Sequence, residues 1–330
     1  MPRPPDTGIP RMRFDLIHWL SRYGTILFLV LMVAGFSIAR PDVFATQLNL
    51  LNVLNQASIL LIIASGLTVC LVMGLFDLSI AAMATLGGYV VCKLLVDQGD
   101  NTHLWATLCG VLALAGMIGV LNGVLVSYLG VSAFIETLAM GSIITGAILG
   151  YSESRTVLGG IPDSFLAIGQ HSTFGIQNPV LVMAGVAAAL WVLLEHTQSG
   201  RNLYAIGGNA EASKLAGIAV RRYALLALGI SAACAALGGI VAAANLGAGR
   251  PQGVGETYLL NAFAAVFIGA STLRPGQFHI VGTLVGVLLI GVISNGLSIM
   301  GVETYWQYIV QGALLIAAMF SAGMVTMRRR

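Results

Sequence analysis

Charge is what this sequence has least of. Of its 330 residues only 9% are Asp, Glu, Lys or Arg, against about a quarter in an ordinary soluble chain. So few charges cannot cover a water-facing surface, which excludes a soluble globular domain. Lysine is nearly absent: Lys93 and Lys214 stand alone, and neither closes a glycine-rich phosphate loop. The chain therefore carries no nucleotide cradle of its own. Its five histidines, His18, His103, His171, His196 and His279, are scattered, with no HExxH or other ligand spacing, so no metal site is expected. A Gly-x-Ser-x-Gly elbow and carboxylates at catalytic spacing are missing too, which leaves an enzyme reading without support. The four cysteines, Cys70, Cys92, Cys109 and Cys234, fall in apolar runs without a CxxC pair and read as small buried side chains.

What is present is grease. Hydrophobic residues make up 57% of the chain and its mean hydropathy is +0.90. About 20 apolar residues cross the hydrocarbon of a bilayer. Ten candidate spans follow: Arg22–Ala39, Gln47–Met73, Phe76–Val96, Leu104–Gly130, Val131–Gly150, Asn178–Glu195, Tyr223–Gly247, Thr257–Thr272, His279–Ile299 and Thr304–Met327. The eighth is short enough to be tilted or partly re-entrant. The expected class is an all-α integral membrane protein: a leader over 1–21, a membrane domain over 22–327 with a loop at 196–222, and a tail at 328–330. With the N-terminus inside, twelve of the sixteen Lys and Arg residues fall on the cytoplasmic side, among them Arg3, Arg11, Arg13, Lys214, Arg221, Arg222 and Arg328–Arg330. Arg40, Lys93, Arg155 and Arg250 fall on the other. That bias puts both termini in the cytoplasm. The net charge of +3 reflects this asymmetry and is not a nucleic-acid footprint.

Two spans echo one another. "IGVLNGVLVSYLGV" (Ile118–Val131) and "IGVISNGLSIMGV" (Ile290–Val302) share Ile-Gly-Val, Asn-Gly, Ser and Gly-Val in order. They lie five spans apart and so run in opposite directions, which suggests an inverted repeat of spans 2–5 onto 7–10, with a solute path at the repeat interface. Glycine pairs four apart, Gly119/Gly123, Gly146/Gly150 and Gly282/Gly286, allow close backbone approach.

Polar residues inside spans are candidates for the path. Asn52 and Gln56 share a helical face with Asn49, and Asn55 sits beside them. Amides suit neutral polyhydroxyl solutes, and they equally suit interhelical hydrogen bonding. Asp77 and Glu136 lie near cytoplasmic span ends, where Asp77 reads equally as a helix cap. Asn122, Asn245, Asn261 and Asn295 are lone amides, which read as structural glue ahead of ligand contacts.

The stretch "AIGGNAEASKLAGIAV" (Ala205–Val220) interrupts the grease. Asn209 is an N-cap, Glu211 lies in the first turn and Gly217 is a stop, so a short helix is expected over Ala210–Ala216. Capped and too short to span, it suits docking on a soluble partner and equally an amphipathic loop resting on the bilayer. With "FDLSIAAMATLGG" (Phe76–Gly88), "IGVLNGVLV" (Ile118–Val126), "FIETLAM" (Phe134–Met140), "VGTLVGVLLIGVISNGL" (Val281–Leu297) and "YWQYIVQG" (Tyr305–Gly312), it makes the chain resemble a permease subunit of the ribose/simple-sugar family of ABC importers. Phe76, where a small or aliphatic residue is usual, and "STLRPGQFH" (Ser271–His279), in place of a glycine-rich stretch, depart from that pattern.

The resemblance implies a coupling helix built on Gly207, Gly208, Asn209, Glu211, Ala212, Lys214, Leu215 and Gly217, docking on an ATP-binding subunit. It also implies a second permease chain, the same or related, and a periplasmic binding protein, in a bacterial inner membrane. No cofactor is expected on this chain; ATP and Mg would sit on the partner. The rival readings are a self-sufficient secondary transporter, which the inverted repeat supports, and a permease for a non-sugar solute such as a nucleoside or branched-chain amino acid.

Overall fold

The computed structural model describes residues 16–99 and 103–327. Arg3, Arg11, Arg13 and Arg328–Arg330, six of the basic residues behind the expected orientation, lie outside the described residues. Helices fall at all ten expected span positions: α1 (Leu16–Ala39), α2 (Gln47–Val72), α3 (Ile80–Gln98), α4 (Leu104–Leu129), α5 (Ala133–Ser152), α7 (Asn178–His196), α10 (Val220–Leu246), α11 (Gly255–Ala270), α12 (Ile280–Ile299) and α13 (Thr304–Met327). Among the described residues eight are long and apolar enough to cross a bilayer. Of the other two positions, α11 has only 16 residues, about 24 Å at 1.5 Å per residue, and α13 has 24.

Three short helices complete the set: α6 (Asp163–Gln170), α8 (Gln198–Gly208) and α9 (Ala210–Leu215). Two small antiparallel pairs lie on the face that carries α6. One joins β1 (Val157–Leu158) to β4 (Ala248–Gly249); the other joins β2 (Ser172–Thr173) to β3 (Ile176–Gln177).

Glycine builds the centre. Helix α10, rich in Ala and Gly, runs against α2, α3 and α4. A Cβ at Gly239 would fall on the Ala84 carbonyl, one at Gly87 on that of Ala236, and one at Gly119 on that of Leu228. The backbones therefore touch, and dispersion between them replaces the hydrophobic drive that lipid does not supply. Gly286 and Gly282 bring α12 onto α11 in the same way, at Ala265 and Gly269. Of the three expected glycine pairs two are seams; Gly146 and Gly150 meet nothing within 4 Å. Three hydrogen bonds cross between α2 and α12 as well. Thr68 and Thr283 hydroxyls meet at 2.7 Å, and the Asn49 and Asn295 amides pair reciprocally at 3.0 and 2.9 Å.

The packing has the pairing an inverted repeat requires. Helix α4 lies along α10 as α12 lies along α2, and α5 lies against α3 as α13 does against α11. The breaks match as well. Gly74 (φ +84°) opens the turn before α3, and Gly253 (φ +80°) opens the one before α11. Three residues after each glycine comes an acid, Asp77 or Glu256. The third helix starts at Ile80, later than the expected Phe76, because the Asp77 carboxylate captures Ser79 and holds residues 74–79 out of the helix.

Gly239→Val should therefore lower the thermal unfolding temperature of the detergent-solubilised protein, at a cost of about 1–3 kcal/mol or more for overpacking. Gly146→Ala should leave it unchanged. Equal behaviour of the two variants would remove the seam.

Candidate functional site

Between the two breaks, on the α6 side, lies a cavity of about 440 Å³. Five helices wall it. Helix α2 supplies Gln56, α3 Thr85 and Tyr89, α11 Thr257, Tyr258 and Asn261, and α12 Ser294; the end of α10 and the turn after it add Asn245 and Arg250. Gly88, Gly239 and Gly291 line it as bare backbone. Thr85 fixes the wall by accepting the Gly255 N–H across the α3–α11 crossing at 3.2 Å.

The cavity's polar groups, set among apolar side chains and bare backbone, are amides and hydroxyls apart from Arg250. Asn261 donates to the Thr257 carbonyl at 2.9 Å, and its Oδ1 is buried without a partner. Arg250, exposed at the mouth, forms no ion pair among the described residues. Such a surface offers hydrogen bonds in both senses with little net charge, which fits a neutral polar solute.

The eight sequence-selected path residues separate into three groups. Gln56 and Asn261 line the cavity. Asn55 stands behind its wall, where the Asn245 amide donates to it at 3.4 Å. Asn52 is exposed outside the lining, and Asn295 is held in the pair with Asn49 while its neighbour Ser294 faces the cavity.

Asp77, Asn122 and Glu136 form a separate cluster at the opposite ends of the helices, all buried. Asp77 does not cap α3 from the N-cap position, which Ser79 occupies. Its Oδ1 accepts the Ser79 N–H at 3.0 Å and the Ser79 hydroxyl at 2.6 Å. Thr137 steadies the same turn, accepting the Leu78 N–H at 3.0 Å. One amide atom of Asn122 lies 3.3 Å from Ser79 Oγ; the other lies 3.1 Å from the Ile118 carbonyl and 3.3 Å from Glu136 Oε1.

Beyond this cluster is the α8–α9 loop. Asn209 caps α9 by accepting the Ala212 N–H at 2.9 Å. Gly217 (φ +83°) ends the helix, with Gly217 N–H on the Lys214 carbonyl and Ile218 N–H on that of Ser213, both at 3.0 Å. Those paired bonds are the usual left-handed helix stop. The helix closes at Leu215, one residue short of the expected Ala216.

Glu211, Ala212 and Lys214 are exposed, and Leu215 is 89% exposed, a bare apolar knob on a polar helix. The platform beneath is α8. Gly207 sits directly on the Val72 carbonyl at the end of α2, and Leu203 and Ile206 are buried. The Tyr204 hydroxyl donates to the Phe278 carbonyl at 2.9 Å. Burial, reinforced by Glu195, pushes that hydroxyl up to about 12, so it remains a donor. Arg274 grips both Glu195 oxygens, at 2.7 and 2.8 Å, and ties the 271–279 loop to α7.

The sequence analysis did not single out Arg250, Thr257 or Tyr258, which line the cavity. The signal was available in the matching breaks, since Gly253 and Glu256 repeat Gly74 and Asp77.

Residues 49–319 match the family described as branched-chain amino acid transport system / permease component. The D-allose transport system permease protein of Escherichia coli K12 is 37% identical over 307 residues, 92% of each chain. The ribose import permease protein of the same strain is 34% identical over 309 residues, 93% of this chain and 95% of the other. Its galactose/methyl galactoside import permease protein is 30% identical over 310 residues, 89% of this chain and 92% of the other. No solved structure matches significantly. The matched stretch holds every wall of the cavity and the whole α8–α9 loop, and the chain belongs to this permease family.

Proposed function

We propose that this chain is the transmembrane subunit of an ATP-driven importer for a simple sugar, working by alternating access across a bacterial inner membrane. The observation that carries the reading is the likeness, along nine-tenths of both chains, to permeases named for allose and ribose. The amides and hydroxyls within the cavity lining support a neutral polyhydroxyl solute. Helix α9 with its bare Leu215 supports a soluble partner. That partner is an ATP-binding subunit, which binds ATP and Mg. A second permease chain completes the pore, and a periplasmic binding protein delivers the solute on the α6 side. Both termini and α9 face the cytoplasm.

The physical sequence follows from the contacts. Nucleotide-driven movement of the partner displaces α9 and, through its one-residue link at Asn209, α8. Because α8 rests on the end of α2 at Val72, the displacement reaches the Gly74–Ser79 turn first and the cavity walls next.

Three expectations test this. Gln56→Leu and Asn261→Leu should depress uptake in cells while assembly and basal ATPase activity survive; loss of assembly would return these amides to structural roles. Leu215→Asp should cut co-purification of the ATP-binding subunit and uptake together, because the side chain is solvent-exposed and its loss costs the fold nothing. Glu211→Lys should do far less, removing about 0.3–1 kcal/mol of charge–dipole stabilisation at an exposed helix start. Transport unaffected by Leu215→Asp would rule out α9 as the docking element. Finally, cysteines at exposed Lys214 and exposed Ser172, on a cysteine-free background, should label from opposite sides of sealed cells. Labelling of both from one side would overturn the topology.

A further inference from the structure

Helix α8 is held at two places, and only one of them is on α2. The other is the 271–279 loop, which joins α11 to α12. Two polar ties make that second attachment. The Tyr204 hydroxyl of α8 donates to the Phe278 carbonyl at 2.9 Å. Arg274 donates to both carboxylate oxygens of Glu195, at 2.7 and 2.8 Å. Glu195 lies in the last turn of α7, and a Cβ at Gly200 would fall on the Leu194 carbonyl. The end of α7 and the start of α8 are thus packed backbone to backbone as one block.

The loop keeps its own shape. Gly276 (φ +84°) turns it back, with Gly276 N–H on the Ala270 carbonyl at 2.9 Å and Gln277 N–H on that of Arg274 at 3.0 Å. At its near end Leu273 N–H meets the Arg22 carbonyl of α1 at 2.9 Å. At its far end the Phe278 ring packs edge-on against Phe267 of α11, with centroids 5.3 Å apart. Phe267 in turn stacks on Phe76, inside the Gly74–Ser79 turn. A segment bonded within itself and packed on its neighbours passes a displacement on. Between the loop, α8 and the end of α2 lies a second cavity, of about 510 Å³, lined by Val72, Glu195, Tyr204, Gly207, Arg274 and Phe278 among others. Empty space transmits nothing, and the two polar ties bridge it.

We propose that Tyr204 and the Arg274–Glu195 pair are positioning residues of a second coupling arm, which carries displacement of the α7–α8 block through the 271–279 loop to α11 and α12. Those helices bring Thr257, Tyr258, Asn261 and Ser294 to the solute cavity. The contact at Val72 reaches only α2, and so only the wall that holds Gln56. With both arms, one movement of α9 acts on opposite ends of the same lining. The arm rests on the reading above, in which an ATP-binding partner moves α9.

Hydrogen exchange of the permease–ATP-binding-subunit complex in lipid nanodiscs, with and without a non-hydrolysable ATP analogue, tests the arm without knowledge of the solute. In the wild type the analogue should change exchange both in the Gly74–Ser79 turn and along α11. Tyr204→Phe removes one hydroxyl and keeps the ring. Arg274→Ala removes a half-exposed side chain, whose ion pair adds little to stability. Both variants should therefore keep the wild-type melting temperature and the bound partner. The α11 response should shrink in each and be lost in the double variant, while the response of the turn remains. A wild-type α11 response in the double variant would overturn the arm alone. Should the double variant not assemble, an undiminished α11 response in Tyr204→Phe would do the same. No response at either place in the wild-type complex would overturn the ATP-driven reading, and the arm with it.

Discussion

Everything in this molecule hangs on the contact between the α10 backbone and the backbones of α2, α3 and α4. Gly239 rests on the Ala84 carbonyl and Gly119 on that of Leu228. Lipid is as apolar as leucine, so helices in a bilayer gain little by hiding side chains from it; they gain by touching closely. Glycine is the residue that lets them. The outer helices show the complement, for α4 and α5 turn Met117, Leu121, Ile135 and Ile143 outward, where hydrocarbon is their solvent.

The same constraint explains where the polar groups are. A bilayer offers no water to an interrupted backbone, so the two breaks in the helical core carry their own partners. At the first, Asp77 and Thr137 take the amides of Ser79 and Leu78. At the second, Thr85 takes that of Gly255. Beside the second break lies a cavity with amides and hydroxyls among its apolar walls. At the first, the carboxyls are sealed in. Inverted halves thus produce two unlike sites, a cavity toward α6 and a closed acid cluster toward α8.

Much of this was legible in the sequence. Ten apolar runs gave ten helix positions, since length and hydropathy are the whole requirement for a span. Asn209 and Gly217 bounded α9 to within a residue because capping is local chemistry. Helix α8 was invisible. Its three glycines, Gly200, Gly207 and Gly208, argue against a helix, and only contact at Leu194 and Val72 reveals why two of them are there. Site residues divided on the same principle. Gln56 and Asn261 could be selected as polar atoms in grease, yet nothing local separates them from Asn295, whose partner Asn49 lies 246 positions away. Arg250 was hidden by its glycine-rich setting, and only the correspondence of the two breaks could have recovered it.

The central claim is that this chain provides the path and a soluble partner supplies the energy. Proteoliposomes holding the permease with its ATP-binding subunit, and the solute-binding protein with labelled sugar outside, test it most directly. The account predicts accumulation only when ATP is enclosed with the nucleotide-binding side, and none from the permease alone under an imposed proton or sodium gradient. Gradient-driven accumulation by the permease alone would contradict it.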